Sequence, residues 1–478
     1  MQQTQKLGMT NSKNPFASVR TEINTSRINR RRFIYSSALA AGALAAGAVS
    51  ALPPVKFKSP NEKLDLGGIG ASGRGGNDIE GVSSENIVAI CDVDSDHLAE
   101  AGRRYPKARL YVDYRVMLEK EKGLDGVTIG IPDHHHAPAA MIAMSLGKHV
   151  YCEKPLTHTV WEARQMAHAA RKYKVATQMG NQGHCGRGNR ELCEMIWAGA
   201  IGQVREVHCW TDRCKPFWTQ GIMRPPGSDP VPASLNWDLW IGAAPMRPFV
   251  ANWPKDLPGA RQGAVYHPNV WRGWWDFGCG PIGDMACHIM DGANWSLKLG
   301  APTSVEIVQS TGPTADMPPL ESILRYHFPA RGEMESCTLT WYDHGLKPPK
   351  PPECEANELD SNGALLIGDK GKILTGCYGE SPRLLPESSM VDYKRPPETI
   401  PRVPGDSPHQ DWIRACKGGP AACSNFEISG PFTEMVLLGN LALRLNKTIE
   451  WDSAHLRVTN APEASHYIKK HYRRGWRV

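Results

Sequence analysis

The stretch LDLGGIGASGRG, residues 64–75, decides the fold, because an apolar strand runs there directly into a glycine-rich turn. Such a turn lets backbone N–H groups approach a pyrophosphate at the N-terminus of the following helix. The motif G-x-G-x-x-G ends at Gly73 when read from Gly68, whereas reading from Gly70 puts a serine in its second glycine position. A merely flexible loop is the alternative to a dinucleotide-binding turn. The predicted cofactor contacts here are Gly70, Ser72, Gly73, Arg74 and Gly75.

A second apolar strand, VAICD at residues 88–92, ends in a carboxylate 22 residues after Gly70. A carboxylate at this position accepts hydrogen bonds from the adenine ribose and repels a 2′-phosphate. Asp92 is therefore predicted to favour NAD over NADP as the cofactor. The competing interpretation is an aspartate that only terminates its strand.

Residues 64–180 alternate short strands with helical patterns, which predicts an α/β domain with a doubly wound parallel sheet. Its predicted strands are 64–69, 87–91, 126–131, 149–152 and 175–179, with helices that include 137–146 and 160–172. From about residue 183 the loops lengthen, and the pattern predicts an α+β domain with a large, mostly antiparallel open sheet. Its predicted strands are 204–211, 305–309, 322–328, 336–341 and 372–374, and its predicted helices are 190–198, 281–297, 409–417 and 431–445.

Two motifs follow the ends of further strands, at the edge where doubly wound sheets bind ligands. In GIPDHHH, residues 130–136, an extended chain would send successive histidine side chains to opposite sides. We expect Pro132 and His136 to line the cofactor cleft and the other histidines to belong to a loop. In KHVYCEKP, residues 148–155, we assign Glu153 and Lys154 to the cleft, with a surface ion pair as the alternative.

The stretch GCGPIGDMACHIMD, residues 278–291, places Asp284, His288 and Asp291 at offsets of four and three. On a regular helix these side chains share one face, which is compatible with a metal site, a catalytic site or simple packing. A hydride-transfer site needs a proton acceptor and no metal, and a histidine of near-neutral pKa can take a hydroxyl proton. We therefore favour His288 as the base, Asp284 as its orienting partner, and no metal.

Together these motifs resemble the glucose–fructose oxidoreductase / inositol dehydrogenase family (Gfo/Idh/MocA). The resemblance covers most of residues 61–455 and rests on the glycine turn, CDVD, KHVYCEKPLTHTVWEA, QMGNQGH, GDMACHIMD, DWIRACKGG and EMVLLGNLALRL. It implies that Lys154, Asp284 and His288 surround the reacting carbon, and we add Asn181 of QMGNQGH to the cofactor contacts. The chain departs from the family pattern at Ser72 and in its glycine-interrupted first strand.

Aromatic residues point to the class of substrate. Ten of the fifteen tryptophans lie between Trp197 and Trp295. Some belong to the core, yet loops rich in rings and arginine can form flat walls with a polar edge, which suit a pyranose. We predict a carbohydrate substrate, contacted by Lys154, Arg272, Trp274, Asp284 and His288.

The first 51 residues carry seven Lys/Arg and one acid, and the remaining chain has equal numbers of basic and acidic residues. That balance gives no electrostatic reason to expect a nucleic acid or an anionic membrane as partner. The segment NRRRFIY at 29–35 precedes a short Ala/Gly/Leu run, which resembles a twin-arginine export signal rather than a membrane span. The alternative is a basic disordered tail. The thirteen cysteines contain no C-x-x-C pair, so their spacing indicates neither a zinc knuckle nor a disulfide framework.

These observations predict a signal at 1–51, a linker at 52–60, an NAD-binding Rossmann domain at 61–182, a substrate and oligomerisation domain at 183–455, and a basic tail at 456–478. The predicted function is an exported, periplasmic, NAD-dependent oxidoreductase that moves a hydride between a sugar carbinol and nicotinamide. A glycoside hydrolase that uses NAD transiently and a non-catalytic carbohydrate-binding protein are the alternatives. We expect a homo-oligomer, a dimer or tetramer formed through the C-terminal sheet, without membrane insertion.

Overall fold

A computed structural model describes residues 57–476 and 478 of the chain. The predicted export signal at 1–51 lies outside the described residues, as does most of the predicted linker. Within the described part, no helix combines the length and apolar character that a membrane crossing requires.

The first half of the described chain builds a six-stranded parallel sheet in the order β3-β2-β1-β4-β5-β6. This order is that of the doubly wound dinucleotide-binding fold, in which the crossover helices cover both faces. Its strands are β1 Asp65–Ile69, β2 Asn86–Cys91, β3 Arg109–Tyr111, β4 Gly126–Ile129, β5 His149–Cys152 and β6 Thr177–Met179. The crossover helices are α1 Gly73–Gly81, α2 Ser95–Arg104, α3 Tyr114–Lys120, α4 His136–Ser145 and α5 Val160–Tyr173. The prediction of a parallel α/β sheet is confirmed.

The second sheet of the described chain has nine strands, in the order β13-β12-β11-β7-β10-β9-β8-β14-β15. Its pairs are antiparallel except for β7 with β10, so the predicted mostly antiparallel sheet is also confirmed. The strands are β7 Val204–Trp210, β8 Ser304–Ser310, β9 Ser322–Phe328, β10 Cys337–Tyr342, β11 Gly363–Gly368, β12 Lys372–Thr375, β13 Arg383–Leu385, β14 Ile449–Asp452 and β15 Arg457–Val458. The helices of this half are α6 Arg187–Trp197, α7 Trp237–Ile241, α8 Cys287–Ile289, α9 Asp291–Ser296, α10 Pro408–Cys416, α11 Phe426–Leu445 and α12 Ser465–Ile468.

Helix α11 packs against both domains. It packs along α5 of the parallel domain and also against β8 of the open sheet. Most of its twenty residues are buried, and Arg164 of α5 makes a two-pronged ion pair with Glu434 of α11 at 2.6 and 2.9 Å. The two domains therefore share one hydrophobic core.

Residues 235–277 form a separate aromatic cluster beside the parallel domain. Trp237 stacks on Trp240 with ring centroids 4.8 Å apart, and Trp253 stacks on Trp274 at 5.7 Å. Both stacks bury large apolar rings, which makes tryptophan here mainly a core residue. Fewer of these tryptophans than predicted are therefore available to contact a substrate.

The C-terminal segment 456–478 is docked on the fold rather than extended from it. Lys470 donates to His134 O at 3.0 Å and pairs with Glu162 at 2.9 Å. Trp476 is buried, and the guanidinium of Arg115 lies 3.8 Å above its ring. Lys470 thus anchors this segment to the parallel domain, and the segment includes β15 and α12.

Candidate active site

The structure settles the register of the glycine turn. Gly70 and Gly73 have φ values of +100° and +52°, in the left-handed region that favours glycine. A Cβ at Gly70 would come within 2.3 Å of Gly130 O, and one at Gly75 within 2.6 Å of the same oxygen. The motif therefore starts at Gly70, and Ser72 takes its second position. Gly75 faces the end of β4, allows close packing of α1 and does not line the cleft, so its direct contact with the cofactor stays a prediction.

Asp92 stands beside this turn, directly after β2. Its Oδ2 accepts a hydrogen bond from Ala71 N at 2.8 Å, and its Oδ1 accepts one from Asp94 N at 2.9 Å. Asp92 also lines the cleft described below. The carboxylate is thus held by the backbone on one side and open on the other, as its predicted ribose contact requires.

Arg74 connects the glycine turn to the Glu-Lys-Pro motif. Its Nε donates to Glu153 Oε1 at 2.9 Å, and its Nη2 lies 3.4 Å from Asp78 Oδ1. Burial, followed by the charge of Asp78, raises the pKa of Glu153 to about 7, although Arg74 opposes both effects. Glu153 thereby positions Arg74 at the N-terminus of α1, where a guanidinium can meet a phosphate.

A cleft of about 510 Å³ follows the carboxyl edge of the parallel sheet. Residues 267–272 of the aromatic cluster form its opposite wall, and a Cβ at Gly73 would lie 3.9 Å from Asn269 Oδ1. Residues 267–272 therefore face the glycine turn across the cleft. The predicted site residues that line it are Gly70, Ser72, Gly73, Arg74, Asp92, Pro132, His136, Glu153, Lys154, Arg272 and His288.

The GCGPIGDMACHIMD stretch does not form one regular helix, so the prediction of a single helix over 281–297 is wrong. Ile282–Ala286 is a π-helix, followed by the short helices α8 and α9. A π-helical turn contains an extra residue, so offsets of four and three no longer mark one face. His288 lines the cleft and Asp284 contacts Lys154 of its wall, whereas Asp291 does not line the cleft and pairs with His184.

Lys154 crosses from the parallel domain to this π-helix. Its Nζ donates to Asp284 O at 2.7 Å and to Asp284 Oδ1 at 3.0 Å. Arg272 Nε also donates to Oδ1 at 3.1 Å, and Arg213 Nε lies 3.4 Å from Oδ2. Although burial opposes it, the positive charge of Lys154 and Arg272 holds the pKa of Asp284 well below its usual value. Asp284 is therefore an ionised anchor for three cations at the rear of the cleft.

His288 stands next to this cluster, with its ring edge-on to Tyr378 at a centroid distance of 4.7 Å. Its Nδ1 is buried and has no hydrogen-bond partner among the described residues. Burial, and then the charge of Lys154, lowers the pKa of His288 well below its usual value, so the predicted near-neutral pKa is wrong. The neutral imidazole can accept a proton from a bound ligand, and an unpartnered buried nitrogen is the mark of a group that a ligand completes.

Asp291 instead pairs with His184 behind the cleft. His184 Nδ1 lies 2.9 Å from Asp291 Oδ1, and Asn181 Nδ2 donates to Asp291 Oδ2 at 3.3 Å. The second hydrogen bond of Asn181 comes from Ser424, at 2.6 Å. Asn181 is buried in this network and does not line the cleft, so its contact with the cofactor stays a prediction that the geometry does not support.

Two other predicted residues have structural roles. Trp274 is fully buried in the aromatic cluster, its Nε1 donates to Val265 O at 2.8 Å, and it does not line the cleft. His136 lines the cleft, but its ring nitrogens face Pro155 O and Ile131 O at 2.8 and 2.7 Å. Burial lowers the pKa of His136 to about 4, so the neutral ring donates to one of these carbonyl groups. The histidine run is also helical, as a 3-10 turn leading into α4, and not extended as predicted.

Several cleft residues were missed by sequence reasoning. Tyr378 follows β12, Gln182 follows β6, and Trp476 comes from the docked C-terminal segment. Arg213, which touches Asp284, precedes the aromatic cluster. No short motif marks any of them, because each reaches the site through a loop whose path depends on tertiary packing. Only the position of Gln182 beside QMGN offered a signal.

The described residues contain two groups that could hold a metal ion: Asp94, His97 and His267, and Cys185, Asp411 and Cys423. Neither includes a residue of the 278–291 stretch, so the metal interpretation of that stretch has no geometric support. By contrast, the cleft fits a dinucleotide. Gly70 and Gly75 leave no room for a Cβ, the N-terminus of α1 opens onto the cleft, and Asp92 stands at its side.

Comparison with family models agrees with this geometry. Residues 66–181 match the Gfo/Idh/MocA model described as an oxidoreductase family with an NAD-binding Rossmann fold. Residues 213–323 match the C-terminal alpha/beta domain of the same family. The matched ranges fall on the parallel domain and on the part of the chain that includes the aromatic cluster and the π-helix.

Similar proteins include an inositol 2-dehydrogenase of Salmonella paratyphi B, 32% identical over 27% of this chain and 38% of that protein. A glycosyl hydrolase family 109 protein of Solibacter usitatus is 30% identical over 38% of this chain and 44% of its own length. The chain thus spans less than half the length of these curated relatives. The fold is similar to that of the WlbA dehydrogenase from Bordetella pertussis, solved in complex with NADH and UDP-GlcNAcA. The TM-score is 0.56 at 17% identity, covering 82% of this chain and 99% of that one.

Proposed function

The chain belongs to the Gfo/Idh/MocA family of oxidoreductases, and on that premise we propose that it is an NAD-dependent oxidoreductase of a sugar or sugar derivative. The observation that carries this proposal is that Lys154 and His288 line the same cleft as the glycine turn and Asp92, with Lys154 hydrogen-bonded to Asp284. When bound, NAD supplies the hydride acceptor for a carbinol carbon.

The chain's own residues supply the proton chemistry. Asp284 receives two of the Lys154 hydrogen bonds and so fixes its ammonium group, which leaves a third N–H for a substrate oxygen. His288 is neutral and has an unpartnered nitrogen, and it accepts the hydroxyl proton as the carbinol is oxidised. In the reverse direction the same imidazolium returns the proton to the carbonyl oxygen.

A carbohydrate fits the walls of the substrate end. Trp271 lines the cleft, and the guanidinium of Arg272 lies 4.4 Å above its ring. Tyr378 adds a second ring opposite His288. Flat apolar faces beside charged hydrogen-bond donors suit the faces and hydroxyl groups of a pyranose.

The test has two steps. Mass spectrometry of the nucleotide released on denaturation identifies the cofactor, and a panel of sugars, inositols and uronic acids is then screened for NADH formation. We expect NAD and a polyol or sugar substrate. Absence of nucleotide binding, or activity only on non-carbohydrate alcohols, would overturn the proposal.

The glycosidase alternative is supported by the similarity to glycosyl hydrolase family 109 proteins. It predicts release of nitrophenol from nitrophenyl glycosides without net formation of NADH. It also predicts that removing bound NAD abolishes this release. Net NADH formation in proportion to substrate instead favours the dehydrogenase.

Export and self-association complete the proposal. The Arg30-Arg31 pair supports twin-arginine export to the periplasm, and replacement of both by lysine should retain the protein in the cytoplasm. Unchanged export of that variant would contradict this route. The nine-stranded open sheet supports a homo-oligomer, dimer or tetramer, and light scattering of the purified chain should show more than a monomer.

A further inference from the structure

The sulfur atoms of Cys185 and Cys423 lie 2.7 Å apart, although the two residues are 238 positions apart in the chain. This separation is shorter than the van der Waals contact of two sulfurs and only about 0.7 Å longer than a disulfide bond. The structure places all thirteen cysteines as free thiols. No motif in the sequence joins Cys185 to Cys423, and only the fold brings them together.

The backbone on both sides of this contact is fixed. Cys185 ends the 3-10 turn that follows β6, and Cys423 lies in the connection between α10 and α11. Cys423 N donates to Asp411 Oδ2 at 2.7 Å, and the next residue, Ser424, donates from its N to Gln178 Oε1 at 3.0 Å. The two sulfurs therefore meet between segments whose backbones are held by other parts of the fold.

A metal ion does not explain the approach of the two sulfurs. Two thiolates on a tetrahedral zinc, each bonded at about 2.3 Å, lie roughly 3.8 Å apart. Here the sulfurs are much closer than that. Asp411, the third member of this group, already accepts hydrogen bonds from Arg414 and from the Cys423 backbone.

We propose that Cys185 and Cys423 are a disulfide site, which links the end of the parallel sheet to the α10–α11 connection. Oxidation by a small disulfide such as oxidised glutathione proceeds in two exchanges. The Cys423 thiolate attacks one glutathione sulfur and expels a first glutathione thiolate, and Cys185 then attacks the Cys423 sulfur and expels the second. Two protein thiols are oxidised, one glutathione disulfide is reduced, and both thiol protons end on the glutathione products.

The order of attack follows from the surroundings of the two thiols. Cys423 is partly exposed, whereas Cys185 is buried. The hydrogen bond from Cys185, together with the nearby His184, lowers the pKa of Cys423 despite burial. The accessible residue is thus also the better nucleophile.

The cross-link has a structural consequence for the cleft, and it does not depend on the proposed function. Gln182, three residues before Cys185, lines the cleft, and His184 supports Asp291. Closing so long a loop should raise the melting temperature of the oxidised protein by roughly 5 °C. It should also hold this wall of the cleft against α11.

The test uses the purified full-length chain, reduced with dithiothreitol or oxidised with glutathione disulfide, and then alkylated under denaturing conditions. We expect thirteen labels on the reduced protein, and two fewer after oxidation, with a peptide that joins residues 185 and 423. Full labelling after oxidation, a link between other cysteines, or one equivalent of bound zinc that protects both thiols would each overturn the proposal.

Three variants make the result specific. Cys423→Ser and Cys185→Ser should each lose the cross-link and the gain in melting temperature on oxidation. Cys423 is partly exposed, so its variant carries the test if Cys185→Ser fails to fold. Cys377→Ser, which alters the other partly exposed cysteine, should still lose two labels on oxidation.

Discussion

Two histidines on either side of the π-helix have opposite environments. His184 is stacked on Trp295 at 4.4 Å and paired with Asp291, so its hydrogen-bonding capacity is used within the fold. His288 is equally buried but leaves Nδ1 without a partner in the described structure. Since buried polar groups are normally satisfied, the difference separates a structural histidine from one that a ligand completes.

The π-helix is the cause of this division. It rotates the chain between Asp284 and Asp291, so that two carboxylates of one short motif reach different partners. Asp284 meets Lys154 at the cleft, and Asp291 meets His184 behind it. One segment thus contributes both to the cation cluster at the cleft and to the buried pair behind it.

The largest effect should follow from removing the cleft histidine. His288→Ala should lower kcat by about 10²–10⁴-fold, because a positioned proton acceptor is lost. NAD affinity should stay nearly unchanged, as measured by fluorescence titration, since the glycine turn and Asp92 are untouched. His455→Ala, at an exposed ion pair, is the matched control and should retain wild-type turnover. Near wild-type turnover of His288→Ala would mean that His288, like His184, has only a structural role.

Lys154 should behave as part of the same unit. Lys154→Met should also lower kcat by about 10²–10⁴-fold, and the double variant with His288→Ala should lose far less than the product of the single losses. Lys447→Met, which removes a lysine from an exposed ion pair, is the control. Multiplicative losses in steady-state kinetics would show that Lys154 and His288 act on separate steps.

Removing the charge behind the cleft should affect stability more than catalysis. Asp291→Asn should lower the free energy of unfolding by about 1.5–3 kcal/mol, because a charged partner of a buried hydrogen bond is lost. Turnover should fall by less than about tenfold, since no reacting group is changed. Urea denaturation measures the first effect, and Asp452→Asn at an exposed pair is its control. A fall in turnover of more than about tenfold, with an unchanged free energy of unfolding, would contradict the structural role assigned to the pair of His184 and Asp291.

The sequence allowed the parallel domain and its motifs to be predicted because their signals are local. Three predicted residues each come just after a strand that is recognisable from its local sequence: Gly70 after β1, Asp92 after β2 and Lys154 after β5. The π-helix was not predictable in this way, since the helical spacing of its side chains is compatible with a regular α-helix. Composition cannot tell a core ring such as that of Trp274 from an exposed one, and Trp476 was missed because its position depends on long-range docking.

Asp92 is an intermediate case, because its carboxylate serves the fold and also faces the cleft. It accepts hydrogen bonds from two backbone groups and borders the glycine turn. Asp92→Ser should shift the ratio of NAD to NADP affinity by roughly tenfold towards NADP, or about 1.4 kcal/mol, since repulsion of a 2′-phosphate is removed. Asp96→Ser, in the first turn of α2, is the control. An unchanged ratio in competitive binding would place Asp92 with the purely structural residues.

The smallest effect concerns pH, and it has opposite signs for the two histidines. Despite its burial, the pairing with Asp291 raises the pKa of His184 above its usual value. The stability from this pairing is therefore fully present below the unfolded pKa of about 6.5 and is lost as pH rises through the folded value. Burial and Lys154 lower the pKa of His288, so the unfolded state binds the extra proton below about pH 6.5 and the folded state loses stability as pH falls.

Melting temperatures measured between pH 5.5 and 9 separate the two histidines. The advantage of the wild type over Asp291→Asn should shrink as pH rises, because the paired imidazolium of His184 loses its proton. The melting temperature of the wild type should instead fall relative to that of His288→Ala as pH drops below about 6.5, because only the wild type must keep a buried imidazole neutral. Slopes of the same sign for both variants would mean that one of the two environments is wrongly assigned. A flat response of His288→Ala alone would remove the physical basis for treating that imidazole as a neutral base.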